Sequence, residues 1–158
     1  MLRVSNLFAL VLLLGLSGCP APETPYSKAN EATREMNMAA RWGRMDIALE
    51  RADPDTLQDF MRRHAKWHSE IRIVDTELAG LVLTEPTKAE AEVEVSWTLE
   101  DDTTLRVTRI HQKWHNKNGK WLVYEEKRRS GSDGLFGEKV ERKEKPKDSH
   151  FPTRVIHE

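Results

Sequence analysis

The chain changes hydrophobic period once. Ala29, Ala32, Met36, Ala40, Gly43 and Ile47 fall three or four residues apart, one face of a helix predicted from Ser27 as its cap to about Ala52. The small residues on that face suit close packing against a sheet. Asp53-Pro54 restarts the chain, with Asp as cap and Pro at the first helical position. Leu57, Phe60, Met61, His64 and His68 then line a second helix that is predicted to end near Ser69.

From Ile71 the period becomes two. Ile71 to Thr84 reads as a strand with a bend at Gly80, and Glu85-Pro86-Thr87 as its turn. Ala89, Ala91, Val93, Val95, Trp97 and Leu99 alternate with Glu90, Glu92, Glu94, Ser96 and Thr98, the pattern of a half-buried strand. After Asp101-Asp102 a third strand runs from Leu105 to His115, and its apolar phase changes near Arg109-Ile110, as at a bulge. Asn116-Lys117-Asn118-Gly119 is a hairpin turn with Gly119 left-handed, and Trp121 to Arg128 is the fourth strand. The expected class is therefore α+β, with two N-terminal helices packed on a curved antiparallel sheet of about four strands.

Charge constrains the register. If Asp101-Asp102 is a two-residue loop, Glu94 opposes Arg109, Glu92 opposes His111 and Glu90 opposes Lys113. A four-residue loop moves every partner by two and still opposes unlike charges. Such pairs contribute roughly 0.2–1 kcal/mol each, enough to select a register but not to hold a fold together.

The first residues are of another kind. Leu7 to Leu16 is an apolar run behind the single positive charge of Arg3. A bilayer span needs about 20 apolar residues, so the run is a signal-peptide core rather than a membrane helix. It ends in Leu16-Ser17-Gly18-Cys19, which resembles the lipobox of bacterial lipoproteins. The resemblance implies that Cys19, the one cysteine of the chain, is lipidated and becomes the first mature residue. It also implies a membrane anchor facing the periplasm. Pro20 stands where an Asp would resemble the inner-membrane retention signal, which points to the outer membrane. The expected division is 1–18 signal peptide, 19–26 a proline-bearing tether, 27–130 the α+β domain, and 131–158 a polar tail. That tail is expected to be mobile in isolation, with Leu135-Phe136 a small apolar hook.

Composition then excludes classes. The 158 residues suit one domain, and a single cysteine excludes an intramolecular disulfide framework or an all-cysteine metal site. With 25 Lys+Arg against 26 Asp+Glu there is no global polyanion signal. The charge is segregated instead, with ten acids in residues 70–102 and eight bases in residues 104–129. The aromatic and basic final hairpin could pass for a nucleic-acid platform, but an envelope address argues against nucleic acid as a partner.

At Asn118-Gly119-Lys120-Trp121-Leu122-Val123 the last hairpin resembles that of nuclear transport factor 2-like domains, the cystatin-like cone that includes SnoaL-like and ketosteroid-isomerase-like proteins. The likeness spans roughly 27–130, its sharp part only these six residues. It implies helices covering the concave face of a curved sheet, sometimes around a pocket. The family's usual third helix between the first two strands has no counterpart, and the Asp and Tyr pattern of its isomerase-like enzymes has no match. No catalytic residue is carried over.

Two near-copies carry candidate chemistry: His64-Ala-Lys-Trp-His68 and His111-Gln-Lys-Trp-His115. On a helix, His64 and His68 share a face and can take a ligand or one zinc ion with a further ligand. Ala65 stands where a zincin has its catalytic Glu. On a strand, His111 and His115 lie ~13 Å apart, too far for one ion. No metal or other cofactor is assigned. His111 opposite Glu92, with Glu125 or Glu126 on the other side, is a candidate pH-sensitive ion-pair site, because neighbouring carboxylates favour its protonated form. The blander alternative is one rung of a surface ion-pair row.

The expected function is a non-enzymatic ligand-binding or assembly module of the envelope. It is tied to the membrane through Cys19, with an envelope protein as a possible partner. The alternative is a small-molecule enzyme of the SnoaL or ketosteroid-isomerase type, with His64 or His68 near the floor of a cone pocket. In a third reading the tail docks a partner, and removing residues 135–158 leaves the fold intact.

Overall fold

The computed structural model describes residues 23–140. The signal peptide with its lipobox, residues 19–22 of the tether (Cys19 included) and residues 141–158 lie outside the described residues. The order is α1 (Pro25–Arg41), α2 (Met45–Leu49), α3 (Leu57–Arg63), then β1 (Ile71–Glu85), β2 (Lys88–Leu99), β3 (Asp102–Lys117) and β4 (Lys120–Gly131). The class is α+β: helices first, then one antiparallel four-stranded sheet in the order β1-β2-β3-β4.

The helix boundaries differ from the periodicity. Thr24 caps α1 rather than Ser27, and Pro25 occupies the first turn, where its missing N–H costs nothing. Ser27 is the reciprocal half of a capping box: its N–H donates to Thr24 Oγ1 at 3.1 Å, while its Oγ accepts from the Thr24 N–H at 2.9 Å. The single helix expected to Ala52 breaks after Arg41, because Gly43 turns left-handed with φ +73°. The stripe holds only as far as the break: Ala29, Ala32, Met36 and Ala40 are buried on α1, but Gly43 is exposed, Ile47 is half-buried, and Ala48 is the buried residue of α2. The second helix begins at Leu57 and ends at Arg63, not Ser69. Asp53 is no helix cap. It is buried, its N–H donates to the Val123 carbonyl at 2.8 Å, and the Val123 N–H donates to Arg51. Residues 51–53 thereby cover part of the edge of β4.

The strands follow the sequence more closely. Pro86-Thr87 and Asn118-Gly119 are two-residue turns, and both central residues of the second have positive φ. Between β2 and β3, Glu90 pairs with Lys113, Glu92 with His111 and Glu94 with Arg109, the first of the two registers that charge allows. The expected phase change within β3 is absent. Arg106, Thr108, Ile110, Gln112 and Trp114 all point inward, and Leu105 and Val107 are simply exposed apolar residues. The irregularity at Arg109-Ile110 belongs to β4, which carries Arg129 as an extra residue there and Tyr124 as another.

One core joins helices and sheet. Trp97, Trp114, Trp121, Phe60, Met36, Val93, Val95 and Ile110 are buried in it, and each Trp removes about 150–250 Å² from water. The chain after β4 completes this core. Leu135 is fully buried, its carbonyl accepts from Trp67 Nε1 at 2.9 Å, and Phe136 packs over His64 and Trp67. The boundary at residue 130 is therefore corrected to at least 140, and a chain cut before Leu135 loses core packing. The apolar hook Leu135-Phe136 is part of the core rather than of a mobile tail.

Candidate functional site

The histidine pair predicted on one helical face does not form. His64 caps the C-terminus of α3, and His68 lies beyond it with φ +64°. The His68 ring contacts the Ala40 carbonyl through Nε2 at 2.6 Å, beside the α1–α2 break, where a Cβ on Gly43 would lie 3.4 Å from the ring. His64 is buried between Phe60, Trp67 and Phe136. Among the described residues, no group of three or more His, Cys, Asp or Glu is placed to hold a metal ion.

His64 instead joins a buried polar network that sequence reasoning missed. Its Nδ1 lies 2.8 Å from the Phe60 carbonyl, and since a carbonyl only accepts, Nδ1 carries a proton. Its Nε2 faces Glu126 Oε2 at 3.4 Å, with both side chains at most 3% exposed. Gln112 is the hub. Its Nε2 donates to Glu126 Oε1 at 2.8 Å and to Asn37 Oδ1 at 3.0 Å, while its Oε1 accepts from Asn37 at 3.1 Å and Trp114 Nε1 at 3.3 Å. Asn37 also donates to the Thr33 carbonyl at 2.8 Å. The signal was phase: Asn37 and Thr33 follow the α1 stripe, and Gln112 lies between Ile110 and Trp114 on the inward face of β3.

Asn37 and Thr33 are also where the interior meets an open groove of about 680 Å³ between α1 and β1. Tyr26, Asn30, Arg34 and Met38 line it from the helix, and Thr76 and Leu78 from the strand. Near the C-terminal end of α1, side chains tie the helix to β1 beside the groove. There Arg41 Nε donates to the Val74 carbonyl at 3.2 Å and pairs with Asp75 at 3.1 Å, and Thr76 Oγ1 donates to the Asn37 carbonyl at 3.4 Å. Arg34 Nε donates to Asn30 at 2.9 Å. Its volume falls in the usual range of small-molecule sites, about 300–1,000 Å³. Neither His64 nor His68 lines it.

On the opposite face of the sheet, His111 Nδ1 lies 2.8 Å from Glu92 and Nε2 lies 3.5 Å from Glu90. The β4 side of His111 is not acidic, because the extra β4 residues bring Lys127 opposite it rather than Glu125 or Glu126. Arg129 approaches Glu92 at 3.5 Å, and Glu125 takes Lys113 and Lys127, each at 3.1 Å. Those two ammonium groups hold the Glu125 carboxyl below its usual range, against a smaller upward push from burial.

A second cluster ties residues 51–55 to the last hairpin. Burial alone would raise the Asp53 carboxyl. Bonds from Lys117 at 2.8 Å, from the Asp55 N–H at 2.8 Å and from His115 together hold it below its ordinary value. Lys117 is raised in turn by bonds to Asp53 and Asp55. At the start of β3, Arg106 holds the Asp102 carboxyl, four residues before it, well below the carboxylate range. These are structural ion pairs at hairpin ends, and none lines the groove.

The fold defines an α+β domain with a buried polar network and one apolar-edged groove on α1. No family model matches the chain, and no curated protein matches it. Among solved structures it is similar to a SEC-C motif containing protein from Rhodopseudomonas palustris, with TM-score 0.53 and 14% identity over 61% of this chain and 74% of that one. The intermembrane space region of the chloroplast protein ARC6 aligns with TM-score 0.47 and 13% identity, over 69% of this chain and 98% of that one. The first likeness shows a shared fold alone. No helix among the described residues is long and apolar enough to cross a membrane.

Proposed function

We propose that the protein is a periplasm-facing lipoprotein, held at Cys19 to the outer membrane, and that it binds rather than catalyses. The α1–β1 groove is its binding face for a small apolar or amphiphilic ligand, or for a segment of an envelope protein. The sheet is read as the curved platform of a nuclear transport factor 2-like domain, a reading supported by the bulges in β1 and β4.

The observation that carries this reading is the separation of chemistry from access. Trp97, Trp114, Trp121 and Met36 fill the space over the sheet where an enzyme of that class would keep its pocket. The paired groups His64 and Glu126 are sealed beneath aromatic rings, whereas the accessible groove presents Tyr26, Met38 and Leu78 over the amides and hydroxyl of Asn30, Asn37 and Thr33, with Glu31, Arg34 and Glu35 along its helix side. An active site needs a perturbed acid or base that substrate can reach. A binding groove needs apolar walls and a few polar points, which is the arrangement found.

The test is extraction of the protein from envelopes in mild detergent, followed by native mass spectrometry and crosslinking. A species bound to the natural protein and lost in Leu78→Trp, which fills the groove, supports the reading. Absence of any bound species, or chemical turnover of one that depends on His64, overturns it.

A further inference from the structure

We infer that the surface of α1 beside the groove is a bilayer-contacting face, and that its partner is the headgroup–acyl boundary of the membrane holding the anchor. The inference rests on the reading of Cys19 as the anchor. It adds an orientation: the groove opens toward lipid, so that its ligand is drawn from the membrane.

Five tryptophans are present, and four are buried. Trp42, at the end of α1, is 68% exposed. Its indole N–H donates to Met38 Sδ at 3.2 Å, and the Arg41 guanidinium lies 5.0 Å over its ring. Met38 and Tyr26, both about half exposed, line the same groove. A Trp and a Tyr with apolar bodies and polar edges suit the membrane interface, and in water they leave an apolar patch uncovered.

The charges on α1 choose among lipids. Lys28 is paired with Glu23, Glu35 with Arg51 and Arg41 with Asp75. The charges left on the groove side, Glu31 and Arg34, cancel. The contact is therefore aromatic and apolar rather than electrostatic, suited to zwitterionic lipid and insensitive to salt.

Chain length fixes the reach. The seven residues from Cys19 to Tyr26 span at most ~25 Å, and the sixteen from Tyr26 to Trp42 cover ~24 Å at the helical rise. A chain fixed at Cys19 can thus bring Trp42, with Met38 one turn before it on the same face of α1, to the surface. The anchor raises the effective concentration into the millimolar range, so a few exposed side chains suffice to hold the orientation.

The test couples the chain from Cys19 onward, through that single thiol, to a maleimide lipid in phosphatidylcholine vesicles with brominated acyl chains, and follows tryptophan emission. The expected result is an emission component quenched by bromine and shielded from aqueous iodide. It is absent in Trp42→Phe and unchanged at raised ionic strength. An iodide-accessible component untouched by bromine overturns the inference. So does crosslinking between copies through this face without bromine quenching, which would make a second copy the occupant. Because the tether is made chemically, failure here is separate from failure of cellular acylation, which is read from the mass of the envelope protein.

Discussion

Replacing Gln112 by Met removes the hub of the buried network while nearly preserving its volume, so the cavity term stays small. Three groups then lose a partner: Asn37 Oδ1 at 3.0 Å, Glu126 Oε1 at 2.8 Å and Trp114 Nε1 at 3.3 Å. An orphaned buried group costs about 1–3 kcal/mol. The Trp114 bond is the longest and weakest, and Asn37 keeps its bond to Thr33. The sum is about 3–5 kcal/mol, a large fraction of the 5–15 kcal/mol that holds a typical domain. In urea, with slopes of ~1–3 kcal/mol/M, the midpoint falls by roughly 2 M. The buried tryptophans report unfolding directly. Asn37→Ala in the same background removes one orphan, so the double variant should cost about 1–2 kcal/mol less than the sum of the singles. A loss below about 1 kcal/mol for Gln112→Met, or strict additivity, would refute the claim that these side chains act as one network.

Asp53→Asn is expected to lower stability at neutral pH. A depressed folded value means that the Asp53 contribution is present above its unfolded value near 3.9 and lost as pH falls through the folded one, so the gap to the natural protein narrows in acid. Urea midpoints from pH 3 to pH 7 test this, and a constant gap contradicts it. Gly131→Ala and Gly119→Ala both impose positive φ on a side chain, at about 1–2 kcal/mol. Only the first drives a Cβ to 2.3 Å from the Val107 carbonyl. Thermal melts should therefore show Gly131→Ala as clearly the worse, and equal losses would mean that this approach is relieved without cost. Leu135→Ala is expected to cost about 2–5 kcal/mol, as for a core leucine. A loss within 0.5 kcal/mol, the scale of surface changes, would return residues 131–140 to the tail.

The strands were legible because period two and charge act on the same residues. Glu90, Glu92 and Glu94 face Lys113, His111 and Arg109 in an offset that also keeps the Ala, Val and Trp row against Trp114, Gln112 and Ile110. Helix ends were less legible. Gly43 sits in phase with the buried stripe, so its left-handed turn looked like one more small residue. His64 and His68 are spaced as helical neighbours, but the helix stops between them, and one ring goes to the core while the other reaches Ala40. The buried network escaped notice because Asn37, Gln112 and Glu126 are residues usually given to the surface. Only their positions relative to apolar neighbours place them inside. The groove was illegible altogether, lying beside the α1–β1 contacts near Val74–Thr76 and marked by no motif.

The proposed module is tethered at Cys19, and its reach and orientation follow from that anchor. Its most direct test is the intact mass of the protein extracted from envelopes. The expected result is a chain beginning at Cys19 and carrying acyl groups, with Cys19→Ser released from the membrane fraction. A chain that keeps residues 1–18 without acyl groups, or one found unacylated in the soluble fraction, contradicts it.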